Sequence, residues 1–415
     1  MKGSPQDGMK DMTAILDGIR VLDWTVWQQG PVASVMLGDL GAEVIKIEDR
    51  VSGDPARGFM RQMGAGMGIG GRNFYFETMN RNKKSVTLDL NKQRGKEILY
   101  QLVGKSDVFL QNFRQGVAAK LGLDYSTLSR HNPRLVYASA SGWGPQGPHR
   151  EKPAFDFTGQ ARSGMMSIAG ELGSSPSSLQ GAIGDQIGAI MTAYGVLAAL
   201  LARERLGIGQ EVDSSLLGSS LFLMGLNVSF KLGLNIEMPK HNRIAGYNPL
   251  WNYYKCSDDK WLVLAEMQAD RAWPTICRAL GISALEKDPR FNSLETRARN
   301  AAELIAILDK IFITKTRDEW LNILEKAGDL IFEPVNNISE AVEDPQVLAN
   351  DYITDFNHPV FGKFKVIGVP VKFSKTPGKI TREAPEFGQH TEEVLTEILG
   401  YTWDDITKLK QEEVI

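Results

Sequence analysis

At 415 residues the chain is too long for one compact core, so two domains are expected. Its composition, 42% hydrophobic and 23% charged, excludes a disordered, fibrous or disulfide-stapled protein. A net charge of −3 argues against nucleic acid or an anionic membrane as the main partner, while leaving room for a basic patch that holds one small anion.

After a polar start, Gly18 to Asp23 is a short apolar run suited to a buried strand, and Pro31 to Leu40 has helical spacing. Ala42 to Glu48 reads as a second strand, followed by a glycine- and methionine-rich loop from Met63 to Gly71. Its Gly66-x-Gly68-x-x-Gly71 is not read as a dinucleotide fingerprint, because no strand precedes it and no helix opens after it. A loop or lid is the expected role. Ser85–Leu90, Asp107–Asn112 and Leu135–Ala140 are three further strands, with a helix from about Asn91 to Val103 among the connections. Strands alternating with helices predict an α/β fold, a parallel sheet covered on both faces that binds ligands at the carboxyl ends of its strands. The loops there are Trp27–Gly30, Glu48–Gly53, Asn112–Gly116 and Ser141–Gly147.

A change of character near Asn242 begins a smaller α+β domain, taken as 245–345. It opens on a hairpin, Trp251–Cys256 with Trp261–Ala265, and Thr316-x-x-Glu319 is a capping box for one of its helices. The large domain is then 14–225, completed by 375–415, with connectors at 226–244 and 346–374; Phe364 to Phe373 has a strand pattern. Cys256 and Cys277 lack metal-ligand spacing, and the five histidines are scattered, so no metal is expected and the thiols are expected to be reduced. No run of about 18 apolar residues and no apolar leader core is read, and a soluble, cytoplasmic protein is expected.

Two features carry chemistry. Gln180-Gly-Ala-Ile-Gly-Asp185-Gln-Ile-Gly188 places one carboxylate among small residues at the mouth of an apolar helix, roughly Ile187 to Arg205. A helix N-terminus favours an ionised carboxylate, and an ionised aspartate with space before it can attack a carbonyl carbon. Aspartate is equally among the commonest helix N-caps, so capping is the competing reading. The second feature is a basic cluster at strand mouths, Arg81, Lys83 and Lys84, then Arg114 and Lys120. It suits either a solvated face or a site for phosphate groups.

Several segments, in order, resemble the class III CoA-transferases. They are Gly18-Ile-Arg-Val-Leu-Asp-Trp, Gly41-Ala-Glu-Val-Ile-Lys-Ile-Glu48, Asn82-Lys-Lys-Ser-Val-Thr-Leu-Asp-Leu90, Asn112-Phe-Arg-x-Gly116, Tyr137-Ala-Ser-Ala-Ser-Gly-Trp-Gly-Pro-x-Gly147 and Ala182-Ile-Gly-Asp185. The tail Gly388-Gln-His-Thr-Glu-Glu-Val-Leu fits as well, so the resemblance spans nearly the whole chain. This family holds formyl-CoA, carnitine and succinyl-CoA-dependent CoA-transferases and the 2-methylacyl-CoA racemases.

The resemblance implies a Rossmann-like large domain and a homodimer of chains threaded through each other. Coenzyme A and acyl-CoA would be substrates beside a carboxylic acid, with no tightly bound cofactor. Asp185 would be the nucleophile, ionised at neutral pH, passing through an aspartyl anhydride and an aspartyl-CoA thioester in a site kept dry. Gln28 would orient a carbonyl oxygen. Gln29, Arg50, Lys84, Leu88, Asn112, Phe113, Arg114, Lys120, Phe155 and Asp156 fall on or beside positions that contact CoA. The chain also departs from formyl-CoA transferases. Asp49 replaces an adenine-contacting arginine, with Arg50 adjacent; Pro153 replaces a lysine, with Lys152 adjacent; and Gly246-Tyr-Asn-Pro-Leu stands where an oligoglycine loop runs. The missing oligoglycine loop points away from formate and oxalate, and the Asn248-Pro…Tyr254-Lys-Cys-Ser-Asp-Asp-Lys-Trp hairpin resembles relatives that handle aromatic or branched organic acids. A racemase moving a proton α to the thioester is the alternative function. Racemases of the family carry a histidine where this chain has Phe155, which cannot shuttle a proton.

Overall fold

The computed structural model describes residues 14–58, 68–69 and 72–415. The Met63–Gly71 loop lies outside the described residues, apart from Gly68–Ile69, which pair with Arg72–Asn73. The chain divides into two compact units.

The first unit comprises the described residues of Met1–Met166, with Ser178–Ile236 and Asn350–Ile415. Its centre is a six-stranded sheet of β1 (Arg20–Trp24), β2 (Glu43–Asp49), β3 (Lys83–Leu88), β4 (Val108–Gln111), β5 (Val136–Ser141) and β6 (Gln210–Ser215). The spatial order is β3-β2-β1-β4-β5-β6, and every pairing is parallel. Successive strand residues point to opposite faces. Leu22, Ile45, Val86 and Phe109 therefore enter one core with a helix over Gln93–Val103 and the C-terminal segment, including Val394 and Leu409. Val21, Val44 and Val108 enter the other, with Ala33 and Leu37 of α1 (Gln29–Asp39) and Ala189 and Val196 of the long helix Ile183–Leu206.

Burial on both faces is why the first five strands read as apolar runs. The sixth escapes that test. Gln-Glu-Val-Asp-Ser-Ser is an edge strand, only partly buried, with one aliphatic side chain. Residues 350–374, expected as a connector, contain a hairpin of Ile353–His358 with Gly362–Ile367 inside this unit. The helix Ile183–Leu206 is long and apolar enough to span a membrane by length and composition, which the expectation of no such run missed. One of its faces is buried on α1, β5 and β6, as in any helix that covers a sheet.

The second unit, Ser167–Ser177 with Glu237–Ala349, holds an antiparallel sheet in which Trp261–Ala265 lies between Trp251–Lys255 and Phe332–Val335. Helices Ala269–Ala279, Ala301–Phe312 and Arg317–Ala327 enclose Trp273, Phe312 and Trp320 with it. The hairpin and the Thr316–Glu319 capping box stand as expected.

Candidate active site

Beside β1 the strand order reverses: the chain leaves β1 for β2 on one side, and β4 flanks the other. Loops there diverge and leave a crevice at the carboxyl ends of the strands. A cavity of about 400 Å³ occupies it, lined by Trp27 and Asn112 after β1 and β4, Asp49 at the end of β2 and Asp54 after it, and Arg114 and Phe155.

The helix α4 (Ile183–Leu206; α2 is Phe74–Asn80 and α3 Asp156–Ser163) begins with Ala182 as N-cap at φ +53, without a side-chain cap. Asp185 is its third residue, so capping and chemistry can be told apart. The amides of Gly184 and Asp185 both donate to Oδ1 of Asp156, at 2.7 and 3.3 Å. Asp156 is held in turn by Gln160, whose Nε2 donates to Oδ2 at 2.7 Å. The cap is Asp156. Among the described residues Asp185's carboxylate accepts no hydrogen bond and joins no ion pair, which leaves its lone pairs available.

This arrangement changes the expected charge state. Because the helix amides serve Asp156, they do not hold Asp185 ionised. Burial, and secondarily the charge of Asp156, push the Asp185 carboxyl up to about 7. Expected as fully ionised, it is poised near neutrality.

The turn from β1 to α1 stands beside it. Asn112 fastens this turn, accepting from the Val26 amide at 2.9 Å and donating to the Val26 carbonyl at 2.7 Å. Trp27 follows at φ +67, its ring edge-on to Phe155. Gln28, 5% exposed, accepts from the Tyr75 hydroxyl at 3.1 Å. Burial first, then the charges of Asp185 and Asp54, raise the Tyr75 phenol, so it stays a proton donor. Gln29 is buried against α4: a Cβ on Gly188 would meet its Nε2 at 2.7 Å, and that nitrogen has no partner among the described residues. Gly188 is three residues along α4 from Asp185, on the same helix face.

Tyr75 was missed because no helix was expected to open after Gly71, whereas α2 begins at Phe74, capped by Asn73, whose side chain accepts from the Tyr75 and Phe76 amides. Glu77 anchors α2. It accepts from Arg72 Nε at 2.5 Å and from the Ala384 amide at 3.2 Å, and it faces His358 Nε2 at 3.3 Å. His358 Nδ1 accepts from the Val360 and Phe361 amides, which leaves the ring proton on Nε2, towards Glu77.

The sequence-derived CoA positions divide. Phe113, Arg114, Asn112 and Phe155 line the cavity. Phe113 packs at a tilt against Trp24, ring centroids 4.2 Å apart, while Arg114 is exposed and without an ion pair among the described residues. Lys120 is exposed on the short helix Val117–Leu121. Arg50 faces Glu413 at 3.5 Å, with its Nε buried and without a hydrogen-bond partner among the described residues. Lys84 is a correction. It lies at the amino end of β3, opposite to where ligands bind, and pairs with Glu43 at 3.0 Å and Glu393 at 2.9 Å. Its neighbours are also engaged, Arg81 with Asp39 and Lys83, fully buried, with Asp23. The basic cluster before β3 is structural. Leu88, at the carboxyl end of β3, has its side chain fully buried in the core, so only its main chain can face a ligand. Among the described residues no group of His, Cys, Asp or Glu is arranged to hold a metal ion.

The family model for CoA-transferase family III matches residues 16–391. Among curated relatives, a succinyl-CoA–D-citramalate CoA-transferase of Chloroflexus aurantiacus is 33% identical over 96% of this chain and 98% of its own. An (R)-2-hydroxy-4-methylpentanoate CoA-transferase of Clostridioides difficile is 32% identical over 97% and 99%. A crystal structure of a CAIB/BAIF family protein from Brucella suis superposes with a TM-score of 0.82 at 28% identity, covering 93% of this chain and all of that one. The chain belongs to CoA-transferase family III and is an acyl-CoA:carboxylate CoA-transferase.

Proposed function

We propose that the chain moves CoA from an acyl-CoA to a carboxylic acid by covalent catalysis on Asp185. The observation that carries this is the carboxylate itself, partly buried and without a hydrogen bond among the described residues while its neighbour Asp156 caps the helix. An Asp185 oxygen attacks the thioester carbonyl; the C–S bond breaks and CoA leaves as thiolate, giving an acyl-aspartyl anhydride. The thiolate attacks the aspartyl carbonyl and releases the donor acid, leaving an aspartyl-CoA thioester. The acceptor carboxylate attacks that thioester and the two steps run in reverse. Gln28 and Tyr75 are the polar groups placed to orient the carbonyl oxygen.

The acceptor we assign is a branched organic acid carrying a 2-hydroxyl, the chemistry shared by D-citramalate and 2-hydroxy-4-methylpentanoate. Proton transfer α to the thioester is disfavoured, since Phe155 offers no base and Asp156 is committed to the helix amides. We further assign a homodimer, supported by the exposed apolar side chains Phe222, Leu226 and Leu232 on consecutive helices of the first unit. A cytoplasmic setting suits the two buried free cysteines.

The test is a panel of acyl-CoA donors against straight, branched and 2-hydroxy acids, read by mass spectrometry. CoA exchange to a branched 2-hydroxy acid is expected. Deuterium entering the α-carbon of a 2-methylacyl-CoA without an acceptor acid would point to the racemase instead.

A further inference from the structure

Strand β2 places charges among aliphatic neighbours. Lys46 and Glu48, two residues apart, share one face of the sheet. Lys46 lies in register with Asp23 on β1 and Ser85 on β3, and is fully buried. Its Nζ stands 2.8 Å from Asp54 Oδ2 and donates to the Thr25 carbonyl at 2.9 Å. Asp54, 2% exposed, accepts the amides of Ala56 and Trp27 on its other oxygen, at 2.9 and 3.2 Å.

Lys46 therefore grips one turn at two points. It holds the Thr25 carbonyl directly and, through Asp54, the amide of Trp27. Immediately after the second grip the backbone turns left-handed at Trp27, φ +67, a conformation that a bulky residue keeps only when its surroundings impose it. Gln28 is the next residue. A buried ion pair is weak evidence for stability, because apolar side chains fill the same volume as well; its better-attested use is to fix one arrangement among several. Here the arrangement fixed is the approach to Gln28.

We infer that Lys46 and Asp54 are positioning residues, a buried pair that holds Thr25–Gln28 in its left-handed turn and so sets where the Gln28 amide stands beside Tyr75 and Asp185. This rests on Gln28 belonging to the reacting centre.

The experiment is a double-mutant cycle on the full chain, using the most active donor and acceptor of the panel above. Asp54→Ala, Gln28→Ala and the double variant are compared for kcat, KM and melting temperature, with a crystal structure of Asp54→Ala. A fall in kcat of about ten- to hundredfold is expected for Asp54→Ala, with KM nearly unchanged. In the Gln28→Ala background the further loss should be under about threefold. Asp54→Asn still offers Oδ1 to the Trp27 amide but turns an amide donor towards Lys46 Nζ, so it should recover only part of the rate; full recovery would show that the ion pair does not hold the turn. The crystal structure should show Trp27 outside the left-handed region and Gln28 displaced. An equal fold-loss in both backgrounds, a change in KM alone, or a turn that does not move would each overturn the inference. The crystallographic arm decides even where no panel member reacts, whereas Asp185→Ala retaining exchange would defeat the reading of the site and leave the cycle intact. Where Asp54→Ala does not fold, Lys46→Met takes its place, filling the volume without charge.

Discussion

The carboxylate of Asp156 receives the Gly184 amide at 2.7 Å, so the helix that begins at Ile183 is capped by one aspartate and carries a second, without a hydrogen bond among the described residues, as its third residue. Asp156 both supplies the cap and adds negative charge beside Asp185, and burial with that charge raises the Asp185 carboxyl to about 7. Attack requires the ionised form, so kcat/KM should rise with pH along a limb near 7 and level off above it. Asp156→Asn keeps an oxygen for the amides and removes the charge. The limb should then move to lower pH, measured as kcat/KM profiles of the two proteins; an unmoved limb would separate Asp156 from the titration.

The same group links stability to pH. Its folded value lies above the ordinary carboxylate value of 3.8, so the stability it contributes is complete below that value and is lost as pH rises through about 7. Asp185→Asn removes the cost of burying the ionised form. It should be more stable than wild type at about pH 8, by on the order of 1–3 kcal/mol, with the gap closing towards about pH 4. Denaturant melts at the two pH values check this.

Cavity-facing and structural cations should respond differently. Arg114→Ala removes an exposed guanidinium on the cavity wall, without an ion pair among the described residues, and should raise KM for acyl-CoA about tenfold. Lys84→Ala breaks ion pairs at the opposite end of the sheet and should leave KM unchanged while costing up to about 1 kcal/mol of stability. Steady-state kinetics with thermal melts distinguish the two.

Gly188 gives α4 room for Gln29. A Cβ there would lie 2.7 Å from Gln29 Nε2, so Gly188→Ala must displace a buried side chain of the Thr25–Gln29 turn. A loss of activity of about tenfold or more is expected, and Gly188→Ala/Gln29→Ala should restore part of it.

Five strands of the parallel sheet were legible because both faces are buried and the strands read as apolar runs. The sixth was not, because an edge strand such as Gln210–Ser215 needs no apolar pattern. The Asp185 segment was legible through its glycines and the helix behind it. What sequence could not decide was which aspartate caps that helix, since Asp156 comes from a segment 29 residues earlier and only the fold joins them. The place of Tyr75 in the site was hidden in the same way: it reaches Gln28 across 47 residues. Lys84 misled because a cation at a strand mouth looks alike at either end of the sheet; its partners Glu43 and Glu393 are visible only in three dimensions.

Hydroxylamine added during turnover with an acyl-CoA, followed by peptide mass spectrometry, tests covalent chemistry on Asp185 most directly. A hydroxamate on the peptide carrying Asp185, absent without acyl-CoA and absent in Asp185→Asn, is the result expected. An unmodified Asp185 in a protein that is turning over would contradict the account.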